Sequence, residues 1–367
     1  MGRLTRLFTD SHAGAGRSPL AAAGGRHEPC RPRGITRAPH AHRNDRRAAD
    51  HDSGVNRTRL AGIGAILATA ALWGTTGTAA TFAPDAGPLA IGAAALGIGG
   101  LLQAVIAVPS LRRAAVLLRT HARVVLLGAG AVAAYPLAFY SSMHLAGVAI
   151  GSVISLASAP LFSGLFELVI DRRPLGARWL ASAALGIAGG VLLCFAEFHG
   201  TATNGPATAS GIALGLVAGV TYAAYSWAAQ RLMGAGVPRS AAMGSVFGGG
   251  GLLLMPVLLI TGAPLIASPA AFAVASYIAL VPMFVGYVLF GYGLTKVPAS
   301  TATTLTLAEP AVAAVLAVVI VGERLSATGW IGMSLFAAAL LLLSTASAPE
   351  VQNTSNRADT ARRRAEG

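Results

Sequence analysis

Apolar residues fall in ten stretches between Leu60 and Ala346, at about 60–81, 87–108, 124–143, 146–170, 179–196, 208–230, 240–262, 270–293, 298–320 and 326–346. Each is close to the roughly 20 residues that a helix needs to cross a hydrocarbon core of about 30 Å, and none has an Arg or Lys in its interior. The pattern predicts an all-α integral membrane protein with ten transmembrane helices. The connections at 144–145 and 294–297 are so short that the helices they join must lie antiparallel and in contact, which gives a compact bundle.

Charge adds a topology. Basic residues sit in the amino-terminal tail (Arg57, Arg59), the second connection (Arg112, Arg113, Arg119, Arg123), the fourth (Arg172, Arg173, Arg178), the sixth (Arg231, Arg239), the eighth (Lys296) and the carboxyl tail (Arg357, Arg362, Arg363, Arg364). The alternate connections carry only Arg324. Because basic flanks are retained on the cytoplasmic side, this parity predicts a multi-pass protein of the cytoplasmic (inner) membrane with both termini cytoplasmic. The composition agrees: 54% of residues are hydrophobic and 11% charged, against about 25% charged in soluble proteins. A formal charge of +13 could suggest nucleic-acid binding, but it is placed where anionic lipid headgroups would attract it, so nucleic acid is not expected as a partner. Residues 1–57, with eleven basic and five acidic residues and no apolar run, are expected to form a disordered basic cytoplasmic tail, and residues 348–367 a second one. The former is either a lipid-attracted arm or a passive extension.

A faint internal repeat runs through the apolar region. A shift of 149 lays Gly62-Ile63 on Gly211-Ile212 and Trp73 on Tyr222; a shift of 150 lays Pro160 on Pro310, Val169-Ile170 on Val319-Ile320 and Leu175 on Leu325. Five spans per half, an odd number, require the halves to enter the membrane from opposite faces. The expected domains are therefore two inverted five-helix repeats, 60–196 and 208–347, an arrangement suited to alternating access around a midplane site.

Two segments carry a family resemblance. Leu307–Gly332, "LAEPAVAAVLAVVIVGERLSATGWIG", looks like the end of an EamA domain of the drug/metabolite transporter superfamily, and Ala70–Ala80, "AALWGTTGTAA", resembles the opening helix of such proteins. The resemblance spans about 60–347 and implies tandem five-helix repeats that move small solutes, often by export, with the fifth and tenth helices peripheral. The chain departs from the pattern in having Ala159-Pro160 where the second half has Glu309-Pro310, "DRRPL" where it has "GERL", and no basic residue near the start of the second span.

Glu309 is the sharpest candidate. An acid midway along a span costs roughly 2.5–3.5 kcal/mol, whereas each Leu, Ile, Val or Phe returns only about 0.3–0.6. In a partly dry cavity Glu309 would bind a proton or a solute amine, and Pro310 frees a nearby backbone carbonyl. Otherwise Glu309 is neutral glue between helices. Trp73, Tyr135, Tyr222, Tyr225 and Tyr287 lie well inside spans and offer an apolar face with a polar tip. Trp73 shares a helix face with Thr76, and Tyr222 with Tyr225. The alternative for each is ordinary packing. Ser152, Ser155 and Ser158, and Thr301, Thr303, Thr304 and Thr306, could line a polar cavity or bond their own helices' carbonyls. Glu167 is expected to reach water near Asp171, Arg172 and Arg173. Trp179, Trp227 and Trp330 are expected to be interface anchors. Glycines spaced by four (186/190, 211/215/219, 244/248) suit close helix packing, and Gly248–Gly251 is a candidate flexible point.

Cys30 and Cys194 cannot frame a fold, and His121, His144 and His199 stand singly, so neither metal nor cofactor is expected. No nucleophile elbow, phosphate-binding loop, zinc-protease helix, paired CxxC or membrane-embedded pair of Asp is present, and an enzyme is not expected. The resulting expectation is a secondary transporter of a small organic metabolite, amino-acid-like solute or drug, directed outward. Its site would draw on Trp73, Thr76, Tyr135, Ser155, Tyr222, Tyr225, Tyr287 and Glu309, with Glu309 as the proton-coupling candidate. A channel or facilitator is the second reading and a membrane enzyme a weaker third. The partners are a small-molecule solute and membrane lipids, with a homodimer left open.

Overall fold

The computed structural model describes residues 41–80, 82–83, 85–146, 148–197, 205–316, 319 and 326–344. The chain divides into two compact units, Met1–Asp50 and His51–Gly367. Every described residue is in a helix or in a short segment joining helices. The helices are α1 (Ala41–Ala80), α2 (Pro88–Arg113), the short α3 (Ala115–Thr120), α4 (Ala122–Ala146), α5 (Val148–Val169), α6 (Ala177–Glu197), α7 (Gly205–Gly234), α8 (Arg239–Thr261), α9 (Pro269–Ile278), α10 (Gly286–Leu294), α11 (Ala299–Leu305), α12 (Ala308–Leu316) and α13 (Ala327–Ser344). A π-helical turn, Ala279–Val285, joins α9 to α10.

Among the described residues seven helical stretches are long and apolar enough to cross a membrane: Arg57–Ala80, Pro88–Arg113, Ala122–Ala146, Gly151–Val169, Pro206–Gly234, Arg239–Thr261 and Pro269–Leu294. Ala177–Leu192 and Ala327–Leu342 are shorter apolar helices. The stretch expected as the ninth span is broken at Thr306–Leu307 into α11 and α12. The expected tails 1–57 and 348–367 fall largely outside the described residues, as do the Gly-Glu-Arg-Leu motif at 322–325 and His199. Residues 41–57, expected without structure, are helical. Once an apolar helix is nucleated, extending it by each further residue is far cheaper than starting one.

Small residues set the packing. α8 lies against α2: a Cβ at Gly244 or Gly248 would run into the Cβ of Ala107 or Ala104, and one at Gly251 would lie 2.7 Å from the Gly97 carbonyl oxygen. α7 meets α4 and α5 in the same way, with Gly211 on Ala146 and Gly215 on Ile154 and Ser142. The glycine run 248–251, a candidate flexible point, is continuous helix here. It is held between Ala104 and Gly97 on one side and Ala129 and Val132 on the other. Close approach, not freedom, accounts for it.

The outer surface is apolar. Leu126, Leu252, Leu259, Ile260, Val105 and Val116 are each more than 60% exposed, as expected where lipid, not water, surrounds the bundle. Trp330 is exposed and suits an interface anchor. The other two expected anchors do not: Trp179 is buried with its ring edge against Gly164, and Trp227 is buried with its indole N–H donated to Asp171 Oδ2 at 3.0 Å. Each sits at a helix–helix contact rather than on the outer face.

Candidate functional site

An aromatic cluster fills the bundle centre. Trp73 of α1 packs at a tilt, 4.7 Å between centroids, on Tyr287 of α10 and meets Tyr222 of α7 edge-on at 6.0 Å. Tyr222 and Tyr225, one turn apart, are stacked at 5.2 Å. Tyr135 of α4 contacts both, at 5.5 and 5.7 Å, and Phe247 and Phe290 close the far side. Such offset and edge-on pairs add about 0.5–1.5 kcal/mol each beyond their burial.

The polar tips of Trp73, Tyr222, Tyr225 and Tyr287 are matched inside this cluster. The Trp73 indole donates to the Pro282 carbonyl at 3.0 Å, and the Tyr225 and Tyr287 hydroxyls share a bond of 2.8 Å. Thr306 gives its proton to the Thr303 carbonyl, so Tyr222 is the donor in the 2.7 Å bond to Thr306. The Pro282 carbonyl lies in the π-helical turn. There the ordinary i to i−4 ladder is interrupted, and such turns are frequent at functional sites.

Beside the cluster lies a small cavity lined by Trp73, Thr76, Ala95, Leu96, Tyr135, Pro136, Phe139, Tyr140, Met283, Tyr287 and Glu309. Its volume of about 20 Å³ holds roughly one water, so this conformation admits no organic solute. Two irregular segments border it, the π-helical turn that carries Met283 and the Thr306–Leu307 break just before Glu309. Both are places where backbone can yield.

Five of the expected site residues converge on this cavity: Trp73, Thr76, Tyr135, Tyr287 and Glu309. Three do not. Tyr222 and Tyr225 lie behind it, fully buried in the cluster, and the buried Ser155 gives its hydroxyl to the Gly151 carbonyl at 2.7 Å. The threonine run behaves like Ser155: Thr303, Thr304 and Thr306 all bond carbonyls one turn back in their own helices. This is the local satisfaction that hydroxyls find in apolar helices. Tyr140, Phe139 and Met283 are lining residues that sequence reasoning passed over. Tyr140 falls near a span end and, five residues from Tyr135, shares no helix face with it, so the spacing gave no signal; Phe139, four residues from Tyr135, does share its face.

Glycines make the room. A Cβ at Gly92 would lie 2.8 Å from Tyr140 Cδ2, one at Gly286 would lie 2.9 Å from the Trp73 indole nitrogen, and one at Gly74 would lie 2.9 Å from the Glu309 carbonyl oxygen. Among the described residues the Glu309 carboxylate has neither a hydrogen-bond partner nor an ion pair.

Away from the cavity, at the opposite end of α5, two acids link helices. Glu167 is buried and accepts from the Ser300 backbone N–H at 2.9 Å and its hydroxyl at 2.7 Å. It therefore turns inward instead of reaching water beside Arg172 and Arg173, because the unpaired first N–H groups of α11 attract a carboxylate. Asp171 pairs with Arg231 at 2.7 Å and accepts from Trp227. Gln230 of α7 donates to the Leu294 and Val297 carbonyls and accepts from the Ala299 N–H.

Residues 209–345 match the model of the EamA-like transporter family. A Bacillus subtilis (strain 168) protein described as the uncharacterized transporter YwfM is 36% identical over 295 residues, which cover 80% of this chain and 96% of that one. The chain belongs to the EamA-like transporter family. A solved crystal structure superposes with a TM-score of 0.63 over 78% of this chain and 96% of its own, at 22% identity, and shares the fold. As an EamA-family member the protein is a multi-pass membrane transporter.

Proposed function

We propose that this protein is a secondary carrier of the cytoplasmic membrane that moves a small organic solute outward by alternating access, without an enzymatic step. The observation that carries the reading is the seam. Trp73 and Tyr135 reach the cavity from the first half of the chain, Tyr287 and Glu309 from the second. A solute bound there would touch both bodies that must move.

Ten crossings in two oppositely inserted repeats, 60–196 and 208–347, fit the contacts. If exchanging the halves carries each span onto the one five later, then the second and seventh, fourth and ninth, and fifth and tenth spans should each face their own image. α2 packs on α8, α5 meets α11 and α6 lies against α13. The contact of Trp73 with Tyr287 has its counterpart in that of Tyr222 with Tyr135. The family match at 209–345 covers nearly the same residues as the second repeat.

The links from Glu167 to Ser300 and from Asp171 to Arg231 also join the two halves, at the end the charge pattern puts in the cytoplasm. A carrier shut at that end must break them to admit solute from inside. Glu309 would bind a proton or the solute's amine.

Counterflow in liposomes tests the reading. Saturable uptake accelerated by solute preloaded on the far side is expected; flux that never saturates would mark a channel, and no exchange across a broad metabolite panel would overturn the proposal. Glu309→Gln is expected to abolish the response of flux to an imposed proton gradient. Full transport with unchanged pH dependence would remove Glu309 from coupling.

A further inference from the structure

Resting on the carrier reading, we propose that the solute is an organic monocation, an aromatic or alkyl ammonium ion, and not the zwitterion of an amino acid. Among the described residues the lining has one ionisable group, the Glu309 carboxyl, and no Arg, Lys or His. The described basic residues lie at or beyond the ends of the apolar spans, from Arg57 and Arg59 to Arg239 and Lys296. A carboxylate among aromatic rings, with no partner among the described residues, needs a counter-charge that only a proton or a bound cation can supply.

The walls suit such a cation. Trp73 has already committed its N–H to the Pro282 carbonyl and the Tyr287 hydroxyl is engaged with that of Tyr225, so what they chiefly offer the cavity is ring surface. Phe139 adds a third ring without a donor, and Thr76 spends its proton on the Trp73 carbonyl at 2.6 Å. Ring faces attract ammonium groups and give nothing to a carboxylate. A zwitterion would have to set its own carboxylate in the same small chamber as Glu309, with no fixed cation among the described lining residues to offset the repulsion. The Tyr135 and Tyr140 hydroxyls, unbonded among the described residues, can accept from an ammonium N–H. The π-helical turn, Met283 and the α11–α12 break let the chamber widen around an alkyl or aryl tail.

Equilibrium binding to the full chain in lipid nanodiscs, followed by calorimetry, tests this with four probes of similar shape: phenethylammonium, phenylalanine, 3-phenylpropionate and 2-phenylethanol, with trimethylphenylammonium as a second cation. The two cations are expected to bind about tenfold or more tightly than the other three, the weight of one charged pair in a desolvated site. Glu309→Gln should remove that advantage, and Glu309→Asp, which keeps the charge, should retain part of it even if the Gln variant fails to fold. Phenylalanine binding as tightly as phenethylammonium, cation binding that survives Glu309→Gln, or no binding by either cation would overturn the proposal. Cation binding without counterflow would instead leave the solute class standing and remove the carrier reading; counterflow of anions or neutral solutes alone would do the reverse.

Discussion

At the scale of single residues, the site depends on side chains that are absent as much as on those present. Gly92 and Gly286 leave the volumes that Tyr140 and Trp73 occupy. Gly286→Leu is expected to push the indole off the Pro282 carbonyl and to lower transport severely. Gly92→Leu should act likewise through Tyr140, while a replacement at the open position Gly64, where a Cβ meets nothing, leaves transport unchanged. Initial rates in liposomes check all three. Tyr287→Phe loses the bond to Tyr225, a change of roughly 0.6 kcal/mol for an average interhelical hydrogen bond in a membrane. A small fall in the detergent Tm is therefore expected, with solute binding retained through the ring. Glu309, Trp73 and Tyr287 were legible in the sequence because a polar or aromatic group deep in an apolar run has few bland explanations. Ser155, Tyr222 and Tyr225 had the same signature but lie outside the cavity's lining, since helical spacing gives a shared face and not which neighbour that face meets.

At the scale of elements, the end of the bundle away from the cavity is closed by short polar contacts instead of apolar mass. Arg172, with φ of 53°, takes the left-handed conformation that ends α5, and Asp171 beside it pairs with Arg231. Under the carrier reading, Glu167→Ala with Asp171→Ala should favour the inward-open state. A cysteine at the buried Thr304 should then react with a membrane-impermeant maleimide from the cytoplasmic side roughly tenfold faster than in the otherwise native chain, a shift of about 1.4 kcal/mol. Unchanged labelling would mean that the two acids only stabilise the fold. The sequence had placed Glu167 in water among arginines. The structure turns it to the start of α11, because a buried helix start presents N–H groups that no side chain in its own sequence satisfies.

At the scale of the molecule, topology is the decisive quantity. Reporter fusions at both termini are expected to report the same, cytoplasmic, face, and cysteines near His144 and Lys296 should label from opposite sides. Termini on different faces would remove the inverted repeat and with it the seam on which the site lies. Packing at α2–α8 is the second whole-molecule test: Gly248→Leu forces apart two helices in backbone contact and should lower the yield of folded protein, in line with the roughly 1–3 kcal/mol that overpacking costs.

The amino-acid sequence determined by itself that this chain lives in lipid, where most of its helices begin and end to within a few residues, though not the early start of α1 or the break between α11 and α12, and which few side chains were too expensive to bury without a reason. Those properties are local: they depend on hydropathy, length and charge along the chain, and each residue carries its own share. Only the tertiary structure decided that Trp73, Tyr135, Tyr140, Tyr287 and Glu309 meet around one small chamber, that the tips of Trp73 and Tyr287 are already satisfied, and that Glu167 joins Ser300 across 133 positions. Those facts depend on how helices rotate and approach. Small residues on facing helices set that jointly, so no single stretch of the chain encodes it.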